Sequence, residues 1–367
     1  MDVQGLAGWY SEHRLLDTNY QGKDLSDEQY LENAVKSWSR IPEERQVRIL
    51  NIVNKFAPGL TIKQVQQYRY LAQTNLFALA HLLEKYPDMT RKEYTWTDGQ
   101  TYAMHEHVCN SFFVQKNPTF KTFKEFASKT NYAEQKERLL LIPRGCFKSS
   151  MNMVDCVQWV TAFPEITILV LTGVLPLAND FVGEIKGHFT LEDGGHCPGA
   201  YYPKKNLQPR QAPDGTRSMF QVLFPEHCIP AEEGKNAEYQ TPAVSMTEKE
   251  CTVFAASIEQ NLAGWHVCVL KLDDVVTEEN SQTVDRMTVV NKKVSIDKAM
   301  LHPFGFFDLV GTWYDGEDCY GQCIKNRDKA VNAGDEFNMK MLIRPAWWAT
   351  DEAKKLGKIE EIGRAHV

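Results

Sequence analysis

The chain has 367 residues, 43% of them hydrophobic and 24% charged, and a formal net charge of -7. This is the composition of a globular protein with room for two or three domains. It excludes a global basic field for nucleic acid, so any DNA contact must be local. No apolar run approaches the ~20 residues of a membrane span, and the N-terminal MDVQGLAGWYSEHR lacks the charged-then-apolar pattern of a signal peptide. The nine cysteines are scattered, without a CxxC pair, which suits a reducing cytoplasm.

Residues 1 to about 100 read as helical. Apolar residues three and four apart predict helices over Asp27–Trp38, Glu44–Phe56, Thr61–Gln73 and Leu76–Tyr86. Ser26 and Thr61 stand where N-caps belong, and Pro42, Pro58-Gly59 and Pro87-Asp88 punctuate the series. This region carries no catalytic signature, and packing is its expected use. His105, His107 and Cys109 are metal-capable residue types, but no second ligand pair has suitable spacing. They read as a polar helix face plus one buried thiol.

From about Tyr102 the pattern changes. Glu137–Ile142 is a short apolar strand, and Ser149–Phe163 is helical with Met153, Val157 and Val160 on one side. Pro164 ends that helix. Thr167–Leu171 is a buried strand rich in β-branched residues, and Leu177–Phe189 is the next helix. Strand, helix, strand, helix predicts a parallel α/β sheet. Residues from Glu192 to about Thr247 are rich in Pro, Gly and charge and read as a long excursion between sheet elements. Strand signals return at Cys251–Ser257, His266–Leu272, Phe306–Val310 and Lys340–Ile343.

Three segments carry chemistry. In Arg138–Asn152, RLLLIPRGCFKSSMN, an apolar run ends in a Pro-Arg-Gly turn, and Lys148, Ser149 and Ser150 open a helix. Strand, loop and helix in that order bind phosphates: backbone N–H groups surround the anion, the lysine adds a point charge and the hydroxyl holds Mg²⁺. The strict GxxxxGK[ST] pattern fails, because Ile142 and Phe147 occupy its glycine positions. Phe147 removes glycine freedom before the lysine, so the loop is expected to bend at Gly145. In His266–Thr277 an apolar strand ends in Asp273-Asp274, a placement suited to Mg²⁺ at the mouth of a parallel sheet. In Asp308–Trp313 a strand runs into Gly311-Thr312; residue type alone favours a plain strand-to-turn transition, while the position would let Thr312 sense a γ-phosphate.

Together these segments resemble the large subunit of tailed-phage terminases, the DNA-packaging motor ATPases. The loop PRGxxKS is matched by Pro143-Arg144-Gly145-Cys146-Phe147-Lys148-Ser149. Ile168–Phe189 is similar to the family's second strand and helix. Leu262–His266 with Leu272–Asn280 is similar to its Walker B region, and Gly311-Thr312 to its coupling motif. The likeness covers roughly Leu139 to Thr350.

It implies an ASCE-type P-loop NTPase sheet over residues 101–350, after a helical region at 1–100. It implies ATP and Mg²⁺ as cofactors. By position, Pro143 to Ser150 would line the nucleotide. Lys148 would contact the β- and γ-phosphates, Ser149 and Asp273 would hold Mg²⁺, Arg144 would act as an arginine finger, and Thr312 would couple hydrolysis to movement. Many members have Glu after the Walker B Asp; here Asp274 stands there, with Glu278 and Glu279 as alternative water-orienting groups. The implied partners are double-stranded viral DNA, the portal protein and procapsid, the terminase small subunit and further copies in a ring, in the host cytoplasm. Lys204, Lys205, Arg210 and Arg217 are candidate DNA contacts, but a solvated loop is the favoured explanation of them. A helicase-like translocase and an inactive structural subunit are the rival readings.

The family's nuclease domain would begin at about Pro345. Residues 351–367 hold no acidic cluster for a two-metal site, so endonuclease activity is expected of a longer protein only. The final Glu361–Val367, EIGRAHV, resembles a translated sequencing-adapter read-through, and residues 351–367 read as a truncated linker.

Overall fold

The computed structural model describes residues 2–14, 25–83, 105–106, 108–129, 136–144, 146–191, 217–230, 237–244, 250–262 and 264–343, with short pieces at 347–348 and 360–361. Expectations on Gly145, His107, Lys204, Lys205, Arg210 and most of the 192–247 excursion lie outside these residues, as do all of 84–104 and most of 344–367.

Helices α1 (Val3–Arg14), α2 (Asp27–Trp38), α3 (Glu43–Phe56), α4 (Ile62–Thr74) and α5 (Leu76–Leu82) open the chain. Ser26 and Thr61 form capping boxes with Gln29 and Gln64, as the sequence predicts. α1 was not expected; its apolar stripe is short, and Trp9 anchors it by donating from Nε1 to the Ala78 carbonyl at 2.9 Å. A single π-turn spans Val108–Phe112, and α6 spans Phe123–Lys129.

The described α/β sheet has seven strands: β1 (Glu137–Leu141), β2 (Ile168–Thr172), β3 (Glu238–Tyr239), β4 (Val253–Ser257), β5 (Val267–Asp273), β6 (Leu301–Gly311) and β7 (Met339–Ile343). Their order is β3-β4-β2-β5-β6-β1-β7, and all pairs are parallel except the β3–β4 edge. Helices α7 (Lys148–Ala162), α8 (Leu175–Phe189), α9 (Met219–Leu223), α10 (Val284–Asp297) and α11 (Cys319–Ala333) complete the described elements used below.

Side chains alternate between the two sheet faces. Leu139, Leu171, Leu272 and Leu309 meet Val290 and Val294 of α10 and Tyr320 of α11. Leu140, Val170, Val269 and Phe306 meet α7, α8 and the N-terminal helices. The N-terminal helices share one continuous core with this face of the sheet. Gln73 donates to the Thr161 carbonyl at 2.6 Å and Gln158 to the Ala72 carbonyl at 3.1 Å, joining α4 to α7. Among the described residues no helix is long and apolar enough to cross a membrane.

Candidate functional site

β1, β5 and β6 are adjacent or one strand apart, and their carboxyl ends lie level: Leu141 pairs with Gly311, and Asp273 with Val310. This register brings the three chemistry-bearing segments to one edge, where ligands of parallel sheets bind. The Lys148 Nζ lies 2.9 Å from Asp274 Oδ2. The other oxygen of the same carboxylate, Oδ1, accepts from the Thr312 backbone N–H at 3.1 Å. Asp274 thus bridges the loop lysine and the strand that carries Thr312. The Thr312 hydroxyl is buried without a hydrogen-bond partner among the described residues.

α7 starts at Lys148 and its N-terminus faces this edge. Its N-cap, Phe147, gives no side-chain cap, so the first-turn N–H groups at Lys148, Ser149 and Ser150 are available to an anion. Pro143, Cys146, Ser149 and Ser150 are half-buried beside them, and burial pushes the Cys146 thiol up. The expected bend at Gly145 falls outside the described residues, but the glycine substitute is not extended. Phe147 itself takes the left-handed conformation, φ 56° and ψ 26°. Packing of its ring against His105, with centroids 5.9 Å apart, helps hold a turn that costs a non-glycine residue roughly 1–2 kcal/mol. Phe147→Ala and Phe147→Gly remove that packing equally, so Phe147→Gly should unfold about 1 kcal/mol later than Phe147→Ala in urea titrations. Equal midpoints would mean the turn is unstrained.

Asp273 points to the α7 face and is 5% exposed. Burial, and then the neighbouring Asp274 charge, raise its pKa to about 7, while Ser149, Lys148 and Asn152 pull the other way. Its Oδ1 is buried and has no hydrogen-bond partner among the described residues. A buried carboxylate oxygen left open beside a serine hydroxyl fits a hard divalent cation such as Mg²⁺, which takes one or two carboxylates and leaves its other positions to water and phosphate. Among the described residues no cluster of three or more His, Cys, Asp or Glu could hold a metal by itself, so such an ion would depend on phosphate oxygens.

Close approaches fix the surroundings. At Gly173 a Cβ would overlap the Thr277 methyl, and the Gly173 N–H donates to the Asp274 carbonyl at 3.3 Å. At Gly311 a Cβ would overlap the buried Tyr320 ring and hydroxyl. Asn280 closes the turn after the aspartates, accepting from Thr277 N–H at 2.7 Å and donating to Val275 O at 2.9 Å. Glu278 and Glu279 are exposed, and Glu279 lies 3.9 Å from Arg286, so neither approaches Lys148 as Asp274 does. Arg144 is exposed and donates to the Tyr314 hydroxyl, its guanidinium 5.5 Å from the ring centroid.

Beneath the site lies a set of charges that the sequence reading passed over. Arg138 of β1, Asp308 of β6 and Lys271 of β5 are direct register partners across three adjacent strands. Lys271 donates to both Asp308 and Asp155 of α7, Arg138 is ion-paired with Asp308, and Lys116 donates to Asp155. All five are fully buried. Burial alone would raise Asp155, but Lys116, Lys271 and Arg138 outweigh it and hold the carboxyl below its ordinary range. Burial lowers Lys116 to about 8 despite Asp155. The available signal was one charged residue inside each of three apolar strands.

No protein-family model matches the chain, and no curated protein matches it either. The functional argument rests on this geometry.

Proposed function

We propose that the chain is a P-loop ATPase, the motor subunit of a terminase-like machine that moves double-stranded DNA into a procapsid. The observation that carries the reading is the Lys148–Asp274–Thr312 chain at the carboxyl edge, with Asp273 and Ser149 beside it. A lysine, two carboxylates, a hydroxyl and an open helix N-terminus at one sheet edge suit a polyanion with a bound cation.

In this reading Ser149 and Asp273 would hold Mg²⁺, which would supply charge neutralisation on the phosphates. Lys148 exchanges Asp274 for the β- and γ-phosphate oxygens. That exchange frees Asp274 Oδ2 to orient the attacking water, while Oδ1 stays on the Thr312 N–H. Thr312 then feels the loss of the γ-phosphate through the same carboxylate, which supports its coupling role. Arg144 supplies positive charge as the phosphoryl group departs. The proposed partners remain viral DNA held by phosphate contacts, the portal protein and procapsid, the small subunit and a ring of copies.

The test is ATP hydrolysis with Mg²⁺, with and without DNA, for wild type and Lys148→Ala, beside binding of a fluorescent ATP analogue. Lys148-dependent binding and turnover are expected. Binding that ignores Lys148, or its absence in the wild type, ends this reading; binding without turnover, even with DNA and partner subunits, favours an inactive structural subunit.

A further inference from the structure

We propose that Tyr314 is a positioning residue that parks the Arg144 guanidinium outside the phosphate site until a triphosphate draws it away. The inference rests on the proposed nucleotide reading. Arg144 and Tyr314 each follow the register pair Leu141–Gly311 by three residues, on neighbouring strands β1 and β6. Two contacts hold the arginine there: the hydrogen bond to the phenol oxygen and the guanidinium over the ring. Arg144 is exposed, so the parked state is reversible at modest cost.

Tyr314 is a firm anchor. Its N–H and that of Asp315 donate to Asp318 Oδ2 at 3.2 and 3.1 Å, and Asp318, 1% exposed, caps α11 through Gly321 N–H at 2.8 Å. The same segment begins at Thr312, whose N–H is bound to Asp274. The parking contact therefore ties the phosphate loop to the coupling segment by a second contact, distinct from the Asp274 bridge. When Arg144 leaves for a γ-phosphate, that tie is broken while the Asp274 tie remains. The Thr312–Asp318 segment thereby distinguishes a triphosphate from a diphosphate.

Parking reduces the fraction of molecules ready to receive a γ-phosphate, and removing it raises apparent affinity by the inverse of that fraction. The test uses the full chain with Mg²⁺ and fluorescent analogues of ATP and ADP. Tyr314→Ala should bind the ATP analogue roughly three- to tenfold more tightly and leave ADP affinity unchanged. Tyr314→Phe, which keeps the ring and loses the hydrogen bond, should fall between. In an Arg144→Ala background both effects should vanish. A merely structural tyrosine would weaken both nucleotides together and would do so without Arg144. The proposal is overturned if wild type binds ATP through Lys148 but the ATP-to-ADP affinity ratio is the same in Tyr314→Phe, Tyr314→Ala and wild type. Loss of Lys148 dependence would instead remove the underlying nucleotide reading, and this inference with it.

Discussion

Asp308→Asn should destabilise the fold by about 3–5 kcal/mol, the cost of stranding buried charge, and lower the thermal midpoint by roughly 5 °C. The five buried groups comprise three cations, Lys116, Arg138 and Lys271, and two carboxylates, Asp155 and Asp308. Removing the Asp308 charge takes a paired carboxylate from both Arg138 and Lys271. Lys271→Met is the informative comparison. It leaves Lys116 with Asp155 and Arg138 with Asp308, two neutral pairs, and an apolar side chain suits its buried site. Its cost should be less than half that of Asp308→Asn. Differential scanning fluorimetry and urea titration of the two variants give the ordering. If Lys271→Met is the more damaging, charge balance is not what stabilises this layer. The network matters for function because it joins β1, β6, β5 and α7 below the site, and a slip of one residue would turn Asp273 to the other face of the sheet.

Asp273→Asn should lower turnover on the order of a thousandfold, since a cation's stabilisation of several kcal/mol would be lost, yet it should stabilise the metal-free protein at alkaline pH. The sign follows from the raised pKa. In the unfolded chain the carboxyl titrates near 3.8, and in the fold at about 7. The folded state therefore favours the neutral acid, and that contribution is full below about pH 4 and is lost as pH rises through 7. Above that, wild type without metal retains a buried anion, with a loss of roughly 4 kcal/mol relative to acid conditions. Asparagine stays neutral throughout. With chelator present, unfolding at pH 8.5 should come later for Asp273→Asn than for wild type, and the two should converge near pH 4.5. Mg²⁺ with nucleotide should restore wild type and leave the variant unchanged. A variant that keeps its turnover would remove Asp273 from the proposed Mg²⁺ site.

Much of the framework was legible in the chain. The strands at Glu137–Leu141, Ile168–Thr172 and Val267–Asp273 announce themselves as short apolar runs, the first and last ending in chemistry, and Ser26 and Thr61 mark their helices through capping boxes. α10 and α11 were missed. Only Met287, Val290 and Val294 (with Asp297) are buried on α10, and only Cys319, Tyr320 and Gly321 on α11, so neither carries a broad apolar stripe. α7 fails in the opposite sense: thirteen of its fifteen residues are buried, so one apolar side could not describe it. The left-handed Phe147 was also hidden, because residue type argues against that conformation and only surrounding packing maintains it.

The sequence by itself determined six of the seven sheet strands, missing the two-residue edge strand β3 inside the 192–247 excursion, as well as where the lysine loop and the paired aspartates lie and that the order strand, loop, helix precedes the acidic strand. Local propensity, capping and alternation act over a few residues and leave their record there. Only the tertiary structure decided that Lys148 meets Asp274 rather than Asp273, that Arg144 rests on Tyr314, and that Arg138, Asp308 and Lys271 form one buried row. Those contacts join residues up to about 170 positions apart. They exist because β6 is inserted between β1 and β5, a pairing fixed by the packing of whole strands and invisible to any local pattern.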